Sequence, residues 1–509
     1  ALHQLSAEIR EALFPNASHR DFADTYAQTL TYALLLARLL GEEKLTAESA
    51  AKKLDSGHKL LADVLRHMAH AAARREVATA VDVLERVIGA VDPTRLSRKG
   101  DPWIYFYEHF LEAYDPKLRR DRGVYYTPAE VVQLQVRLAD ELLRTRFGKD
   151  KGYADAGVVF LDPAAGTAAY PLAMIEHALA QVEAHWGAGM VAVAASELAK
   201  NTHAFEILVG PYAVAHLRIS EAIRTRGGTF PKEGLPVYLT DTLESPNATA
   251  PSGGIFSRTL TEEHKRAIKV KRDTQVLVCM GNPPYDREQA EDSANPTPTA
   301  QRKGGWVRFG DREAQHGRVE NDDNQADTDV TEDGILKDFL EPAKTAGMGG
   351  HLKNLYNDYV YFWRWALWKL FENPKANGPG IVSFITASSY LRGPGFVGMR
   401  QKMREDFDEL WIIDLGGDNL GARKTPNVFN IQTPVAIAIG VRYGASQPDT
   451  QALVHYARVD ADSREEKLAK IKKIDSFAAL SWQQTMDGWM NPFLPQGGGD
   501  YWNWPLLTD

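Results

Sequence analysis

Cysteine is almost absent from this sequence: Cys279 stands alone among 509 residues. A single thiol closes no internal disulfide and supplies no thiolate cluster for a metal. A disulfide-stapled secreted fold and a cysteine-ligated zinc site are therefore excluded, and a reducing, cytoplasmic setting is the expectation. Long apolar runs are missing too. No stretch approaches the ~18 consecutive apolar residues of a membrane span, and Ala1-Leu2-His3-Gln4 lacks the basic-then-apolar layout of a signal peptide. No membrane partner is expected, and the start at Ala1 rather than Met reads as a processed or excised piece. There is no G-x-x-x-x-G-K-[ST] segment, so no phosphate-cradling motor is visible, and no paired-carboxylate-plus-lysine cluster of a nuclease. No metal site is expected.

Positive charge is also short: 59 Lys and Arg against 67 Asp and Glu give a net charge of −8. Phosphate binding draws on Lys and Arg releasing counterions, so any nucleic-acid surface must be local. Three groups are candidates: His264-Lys265-Arg266 with Lys269, Lys271 and Arg272; the Arg302-Lys303 to Arg308 segment; and Arg392, Arg400, Lys402 and Arg404. Each, taken alone, also reads as an ordinary solvated face.

What is present is ordinary globular material, 44% hydrophobic and 25% charged, in a chain longer than one hydrophobic core usually supports, so more than one domain is expected. From the N-terminus to about Tyr114, apolar residues recur at helical spacing, as in Leu5, Ile9 and Leu13 and again in Phe22, Tyr26, Leu30, Ala33 and Leu34. After Asp121-Arg122-Gly123, short apolar runs ending in Gly, Pro or Asp alternate with helical patterns, the signature of an α/β domain with a mostly parallel sheet. Strands are expected at 157–161, 190–195, 237–240, 275–280, 380–385, 410–415 and 435–441. The span 356–371, with Tyr359, Tyr361, Phe362, Trp363, Trp365 and Trp368, is expected to be a helix packed on the sheet. A polar insertion is placed at about 286–350, and the glycines 497–499 precede an aromatic segment that looks like a domain edge.

Asn282-Pro283-Pro284-Tyr285 follows the apolar run ending at Met280 and Gly281, the place at a sheet's carboxyl edge where open α/β folds bind ligands. The residue types suit a conjugated exocyclic amine such as adenine N6, a poor nucleophile whose lone pair is delocalised into the ring. The Asn282 side-chain carbonyl and the Pro283 backbone carbonyl can each accept an N–H, drawing the nitrogen towards tetrahedral geometry without a carboxylate base. The prolines, Pro283 and Pro284, fix φ and remove competing donors, while Tyr285 offers a face for an extruded base. Upstream, Asp162-Pro163-Ala164-Ala165-Gly166 leads from a strand into an apolar helix, a turn that lets backbone approach a nucleoside-type ligand. Glu197, expected at the end of the next strand, would accept from the ribose hydroxyls. Asp241, at the end of the strand after that, would accept from the ligand's adenine.

In this order the motifs resemble the gamma-class amino-methyltransferases of DNA, which use S-adenosyl-L-methionine. The resemblance implies that Gly123-Val124-Tyr125-Tyr126-Thr127-Pro128 packs round the methionine end of that cofactor, with Tyr125, Thr127 and Pro128 in contact. It also implies that Asp162, Ala164, Gly166, Glu197, Asp241 and Asn282 line the cofactor site, and that Phe429, in Phe429-Asn430-Ile431-Gln432-Thr433, sandwiches the flipped adenine with Tyr285. The fold it implies is α/β, a Rossmann-like methyltransferase with a doubly wound, mostly parallel seven-stranded sheet, preceded by an α-helical domain.

More narrowly, Lys303-Gly304-Gly305-Trp306, the stretch 354–365 and Ser383-Phe384-Ile385-Thr386 resemble the single-polypeptide, ATP-dependent Type I (Type ISP) restriction-modification enzymes. By that likeness, 1–114 is a helical coupler, 115–495 the methyltransferase and 496–509 the start of a linker to an absent target-recognition domain. The partners implied are double-stranded DNA and the nuclease, helicase-like motor and recognition domains of the same parent polypeptide. Where that family's loop carries a second glycine, this chain has Ala168, whose methyl is expected to crowd the cofactor. Two other readings stay open: a protein methyltransferase acting on a glutamine amide, and a catalytically silent DNA-binding or coupling module.

Overall fold

A computed structural model describes residues 19–54, 62–63, 65–66, 71–92, 127–249, 257–285, 303–312, 334–375, 377–418, 425–429 and 431–495. Tyr125, the early periodic residues Leu5, Ile9 and Leu13, and the segment 496–509 lie outside them.

The strands are β1 (Phe160–Asp162), β2 (Thr202–Glu206), β3 (Val237–Leu239), β4 (Val278–Gly281), β5 (Gly380–Ala387), β6 (Glu409–Gly416), β7 (Val435–Arg442), β8 (Leu453–Arg458) and β9 (Gln483–Gln484). They form one nine-stranded sheet in the order β3-β2-β1-β4-β5-β7-β6-β8-β9. The first five in that order run parallel, β7 inserts antiparallel between β5 and β6, and β8 runs parallel to β6. The doubly wound α/β expectation holds, and the seven expected strands become nine because β8 and β9 extend the far edge.

One strand lies elsewhere than the sequence pattern predicts. Residues 190–195 are not a strand: a short 3-10 turn ends at Met190 and an α-helix runs Val191–Asn201. Val-Ala-Val-Ala alternates like a strand, but its alanines favour helix and its valines do not decide between the two. The strand in that part of the sheet is β2, whose Thr-His-Ala-Phe-Glu has no strong β signature and is buried throughout by its neighbours β1 and β3.

Alternation along the long strands divides the interior into two cores, as a pleat of period two requires. Ile381 and Ile385 of β5 and Trp411, Ile413 and Leu415 of β6 face one. Val382 and Phe384 of β5 and Leu410 and Ile412 of β6 face the other. The first core continues into the N-terminal helices His19–Leu39, Ala47–Leu54 and Ala71–Gly89. Helix His19–Leu39 lies against helix Val209–Thr225, where Gly210 admits the Tyr32 ring: a Cβ at Gly210 would sit 2.9 Å from it.

The second core contains the aromatic helix Asp358–Leu367, which opens into a π-turn over Trp368–Glu372. Its Tyr359, Tyr361, Phe362, Trp363, Trp365 and Trp368 are all buried, as expected of a packing stripe. Parts of the expected polar insertion are folded against it. Gly305–Phe309 and Lys337–Thr345 are helical, Trp306 packs edge-to-face on Trp368 at 4.7 Å, and the Trp306 backbone N–H donates to the Leu243 carbonyl at 2.9 Å.

Candidate active site

Because β3, β2, β1, β4 and β5 are parallel neighbours in register, their carboxyl ends share one edge of the sheet. The strand order reverses between β1 and β4, which makes a switch-point crevice of the kind that binds ligands in doubly wound folds. Asp162 ends β1, Glu206 ends β2, Asp241 follows β3 and Asn282 follows β4.

The turn after β1 is held through its backbone N–H groups. Ala164 N–H donates to Asp162 Oδ1 at 3.0 Å, and Ala165 N–H to the Phe205 carbonyl at 2.9 Å. Gly166 has φ +54 with nothing within 4 Å of where a Cβ would be, so the turn presents open backbone to the crevice. Ala168 adopts φ +66 and ψ +39, the left-handed region, and is the sole non-glycine with positive φ among the described residues. It is fully buried, and its methyl packs within the first core.

The acid beside this turn is Glu206, which the sequence reading missed. Its Oε2 accepts the Gly166 N–H at 2.8 Å and its Oε1 the Leu208 N–H at 2.7 Å, while a carboxylate offers about four acceptor positions, leaving room for a ligand's hydroxyls. Burial raises its pKa to about 7 against the pull of those backbone donors. Ile207, next in sequence, is 45% exposed, an unusual apolar surface residue beside a carboxylate. Glu197 does not join this site. It lies on helix Val191–Asn201 with an exposed side chain paired to Lys200 at 2.7 Å, one helical turn away. The only signal for Glu206 was an acid directly before Ile-Leu-Val, which has no periodicity to announce it.

Asp162 is buried, and burial pushes its carboxyl up to about 8. Its Oδ2 has no hydrogen-bond partner, and a Cβ on Gly281 would lie 2.7 Å from its Oδ1, so this carboxyl, Gly281 and the β1 turn are in close approach. Asp241 Oδ1 caps its own turn by accepting Leu243 N–H at 2.9 Å, leaving its second oxygen available. Lys271, fully buried, secures this corner through Thr240 Oγ1 at 3.0 Å, the Asp241 carbonyl at 2.5 Å and Glu244 at 3.0 Å.

Asn282 is held from both sides. Its Nδ2 donates to Thr127 Oγ1 at 2.9 Å, and its Oδ1 accepts from the Tyr285 hydroxyl. Thr127 thus meets Asn282 directly, and Pro128 caps the start of helix Ala129–Arg146 beside it. Phe429 is buried, fixed by its N–H to Asn427 Oδ1 at 2.8 Å, and meets Tyr285 edge-to-face with ring centroids 6.4 Å apart at 78°. The two rings are neighbours. They do not form a parallel slot, so a base cannot lie between them until one ring turns.

The basic groups are mostly committed elsewhere. Lys271 is buried on Glu244, His264 pairs with Glu244 at 2.8 Å, Lys265 with Glu262 at 3.4 Å, and Arg266 lies over Tyr238. Arg308 is buried against Tyr356. Arg400 and Arg404 are buried and donate to the carbonyls of Tyr390, Gly393, Met490, Trp489 and Asn491, and Lys402 pairs with Asp406 and Glu372. Lys269 and Arg392 remain without an internal ion pair among the described residues. No group of three or more His, Cys, Asp and Glu among the described residues is arranged to hold a metal, and no described helix is long and apolar enough to cross a membrane.

Residues 100–307 match the family model described as N-6 DNA Methylase. Three solved structures align over 98% of the chain. The DrdV–DNA complex is 23% identical with a TM-score of 0.68 over 43% of its own chain. LlaBIII, an ATP-dependent Type ISP restriction-modification enzyme bound to DNA, is 20% identical with a TM-score of 0.70 over 31% of its chain. A nuclease-deletion mutant of the Type ISP enzyme LlaGI with a DNA substrate mimic is 19% identical with a TM-score of 0.67 over 36% of its chain. The chain shares their fold and spans less than half the length of each. No curated protein matches it.

Proposed function

We propose that this chain methylates the exocyclic N6 amine of adenine in DNA, using S-adenosyl-L-methionine, as the modification part of a restriction-modification enzyme. The observation that carries the reading is the Asn282 side chain at the carboxyl end of β4, next to strand ends that bear Asp162, Glu206 and Asp241, within a segment that matches N-6 DNA methylases.

The described residues fit the cofactor. Glu206 has acceptor positions for ribose hydroxyls, Ile207 offers an apolar face for its adenine, and Asp241 has a free oxygen for the adenine amine. The partnerless, buried Asp162 Oδ2 suits an ammonium group, and the open backbone at Gly166 admits close approach. When bound, S-adenosyl-L-methionine supplies an electrophilic methyl group.

The chain's own work is to orient the amine. Asn282 Oδ1 and the Pro283 carbonyl accept its two protons, localise its lone pair and aim it across the crevice. The amine cannot reach that position inside a stacked duplex, so the adenine is extruded and rests against Tyr285 and Phe429. Residues 1–114 then serve as a helical coupler, 115–495 as the methyltransferase and 496–509 as the approach to a recognition domain, in a longer polypeptide with nuclease and motor domains.

Incubation with isotope-labelled S-adenosyl-L-methionine and unmethylated duplex DNA, followed by digestion to nucleosides, tests this. Labelled N6-methyladenine that disappears in Asn282→Ala is the expected result. Label on a protein glutamine instead, or cofactor binding with no transfer, overturns it.

A further inference from the structure

Beneath Asn282 runs a buried polar chain whose inner members, Tyr170, Gln135 and Ser383, no cofactor or substrate contact accounts for. Asn282 Nδ2 donates to Thr127 Oγ1 at 2.9 Å. The Thr127 hydroxyl is hydrogen-bonded to Tyr170. The Tyr170 hydroxyl donates to Gln135 Oε1 at 2.7 Å, and Gln135 Nε2 donates to Ser383 Oγ at 2.9 Å. Gln135 and Ser383 are fully buried, and Tyr170 and Thr127 are 3% and 5% exposed. The five residues come from the entry to helix Ala129–Arg146, that helix itself, helix Ala169–Trp186, β5 and the loop after β4. Polar groups in such places cost stability unless every donor and acceptor is matched, so the run is organised rather than incidental.

The chain has one polarity. An amide can face either way, and only its partners decide which end donates. As the side chains are placed, Gln135 Nε2 donates to Ser383 Oγ and its Oε1 accepts from the Tyr170 hydroxyl. The Tyr170 hydroxyl adjoins that of Thr127, and the Thr127 oxygen accepts from Asn282 Nδ2. The Asn282 carbonyl is thereby turned to the opposite side, where the Tyr285 hydroxyl donates to it. Reversed, Asn282 would present an NH2 group to the substrate's NH2, two donors facing each other with no bond between them.

We infer that Thr127, Tyr170 and Gln135 are positioning residues that hold the Asn282 amide with its carbonyl towards the amine to be methylated. The inference rests on the role proposed above for Asn282. It separates two parts of the site: the carboxylates at the ends of β1 to β3 hold the cofactor, while a polar chain through the first helix after the coupler sets the nucleophile. A misplacement of about 1 Å at the reacting atoms costs on the order of a hundredfold in rate, so loosening this chain should show in transfer and not in cofactor affinity.

The test compares Tyr170→Phe, Gln135→Leu, Thr127→Val and Thr127→Ser with the unaltered chain and Asn282→Ala. Three quantities are read: the cofactor Kd, the single-turnover methyl-transfer rate at saturating DNA and cofactor, and the side-chain 15N–1H2 signal of Asn282, assigned by its loss in Asn282→Ala. Tyr170→Phe and Gln135→Leu are expected to slow transfer by about ten- to a hundredfold with cofactor Kd within about threefold, and to speed solvent exchange of the Asn282 amide protons. Thr127→Ser is expected to recover most of the rate lost in Thr127→Val, because it restores the hydroxyl. An inactive Asn282→Ala together with an unaltered rate and amide signal in Tyr170→Phe and Gln135→Leu overturns the network alone. Methylation that survives Asn282→Ala overturns the role of Asn282, and with it the purpose of the network.

Discussion

The Tyr285 hydroxyl donates to Oδ1 of Asn282, the same carbonyl proposed to receive the substrate amine, and it also lies 3.2 Å from the Ile385 carbonyl. The acceptor therefore has an internal occupant. On that proposal, entry of a base would exchange one hydrogen bond for another and swing the Tyr285 ring out of its edge-to-face contact with Phe429.

The ring and the hydroxyl of Tyr285 should accordingly separate on mutation. Tyr285→Ala removes the stacking face and is expected to weaken productive DNA binding by about 1–3 kcal/mol. Tyr285→Phe keeps the face and removes the competing donor, so the KM for DNA is expected to be equal to or lower than that of the unaltered chain. Steady-state methylation at varied DNA concentration checks both. A Tyr285→Phe as impaired as Tyr285→Ala would show that the hydroxyl helps the substrate.

Glu206 and Glu197 should differ sharply in cofactor binding. Glu206→Gln keeps the shape but weakens hydrogen bonds to a charged acceptor, each worth about 1.5–3 kcal/mol, so a loss of roughly tenfold or more in S-adenosyl-L-methionine affinity is expected. Glu197→Ala breaks only an exposed pair with Lys200, and its Kd should stay within about twofold, since exposed ion pairs contribute little. Titration calorimetry decides it; equal losses would return Glu197 to the site.

Acidity gives a pair of opposed pH effects. Burial raises Glu206 to about 7 and Asp162 to about 8, above their ordinary carboxylate values. Between those ordinary values and about 7 to 8 the folded chain holds protons that the unfolded chain has released. Their stabilising contribution is complete at acid pH and is lost as pH rises through that window. The ligand-free Tm should fall from pH 5 to 8, less steeply in Glu206→Gln. Ribose hydroxyls and an ammonium group favour the ionised carboxylates, so cofactor affinity should rise over the same range. Thermal melts with and without S-adenosyl-L-methionine read both, and a ligand-induced Tm shift that shrinks with rising pH would refute the assignment.

Ala168 carries a left-handed backbone at φ +66. That conformation costs an L-residue about 1–2 kcal/mol, while its buried methyl contributes about 0.8 kcal/mol. Ala168→Gly is expected to raise stability by about 1 kcal/mol or less and to leave cofactor Kd within about twofold, because the methyl points into the core. Denaturant melts and calorimetry measure the two; a large gain in affinity would mean that the methyl does reach the cofactor.

The sequence alone determined whatever is encoded in consecutive residues. Asn282 to Tyr285 could be read because four unusual residues stand together after an apolar run, and Asp162 to Gly166 because a strand-to-helix turn needs small residues in a row. Asp241 could be placed because the run before it is short and apolar. The aromatic stripe from Tyr359 to Trp368 could be read as core from its composition. Tertiary structure decided what depends on neighbours. The run 190–195 is compatible with strand or helix, and only the demand of β1 and β3 for a partner put the strand at Thr202–Glu206 and the acid at Glu206. Likewise, nothing local marks Gln135, Tyr170 or Ser383 as polar partners, because hydrogen bonds between residues 35 and 248 positions apart exist only once two helices and a strand have packed. The same holds for the arginines and lysines read as possible DNA contacts: packing buried Lys271, Arg400 and Arg404 on internal acceptors and Arg308 against the Tyr356 ring, since a buried cation must be matched within the fold.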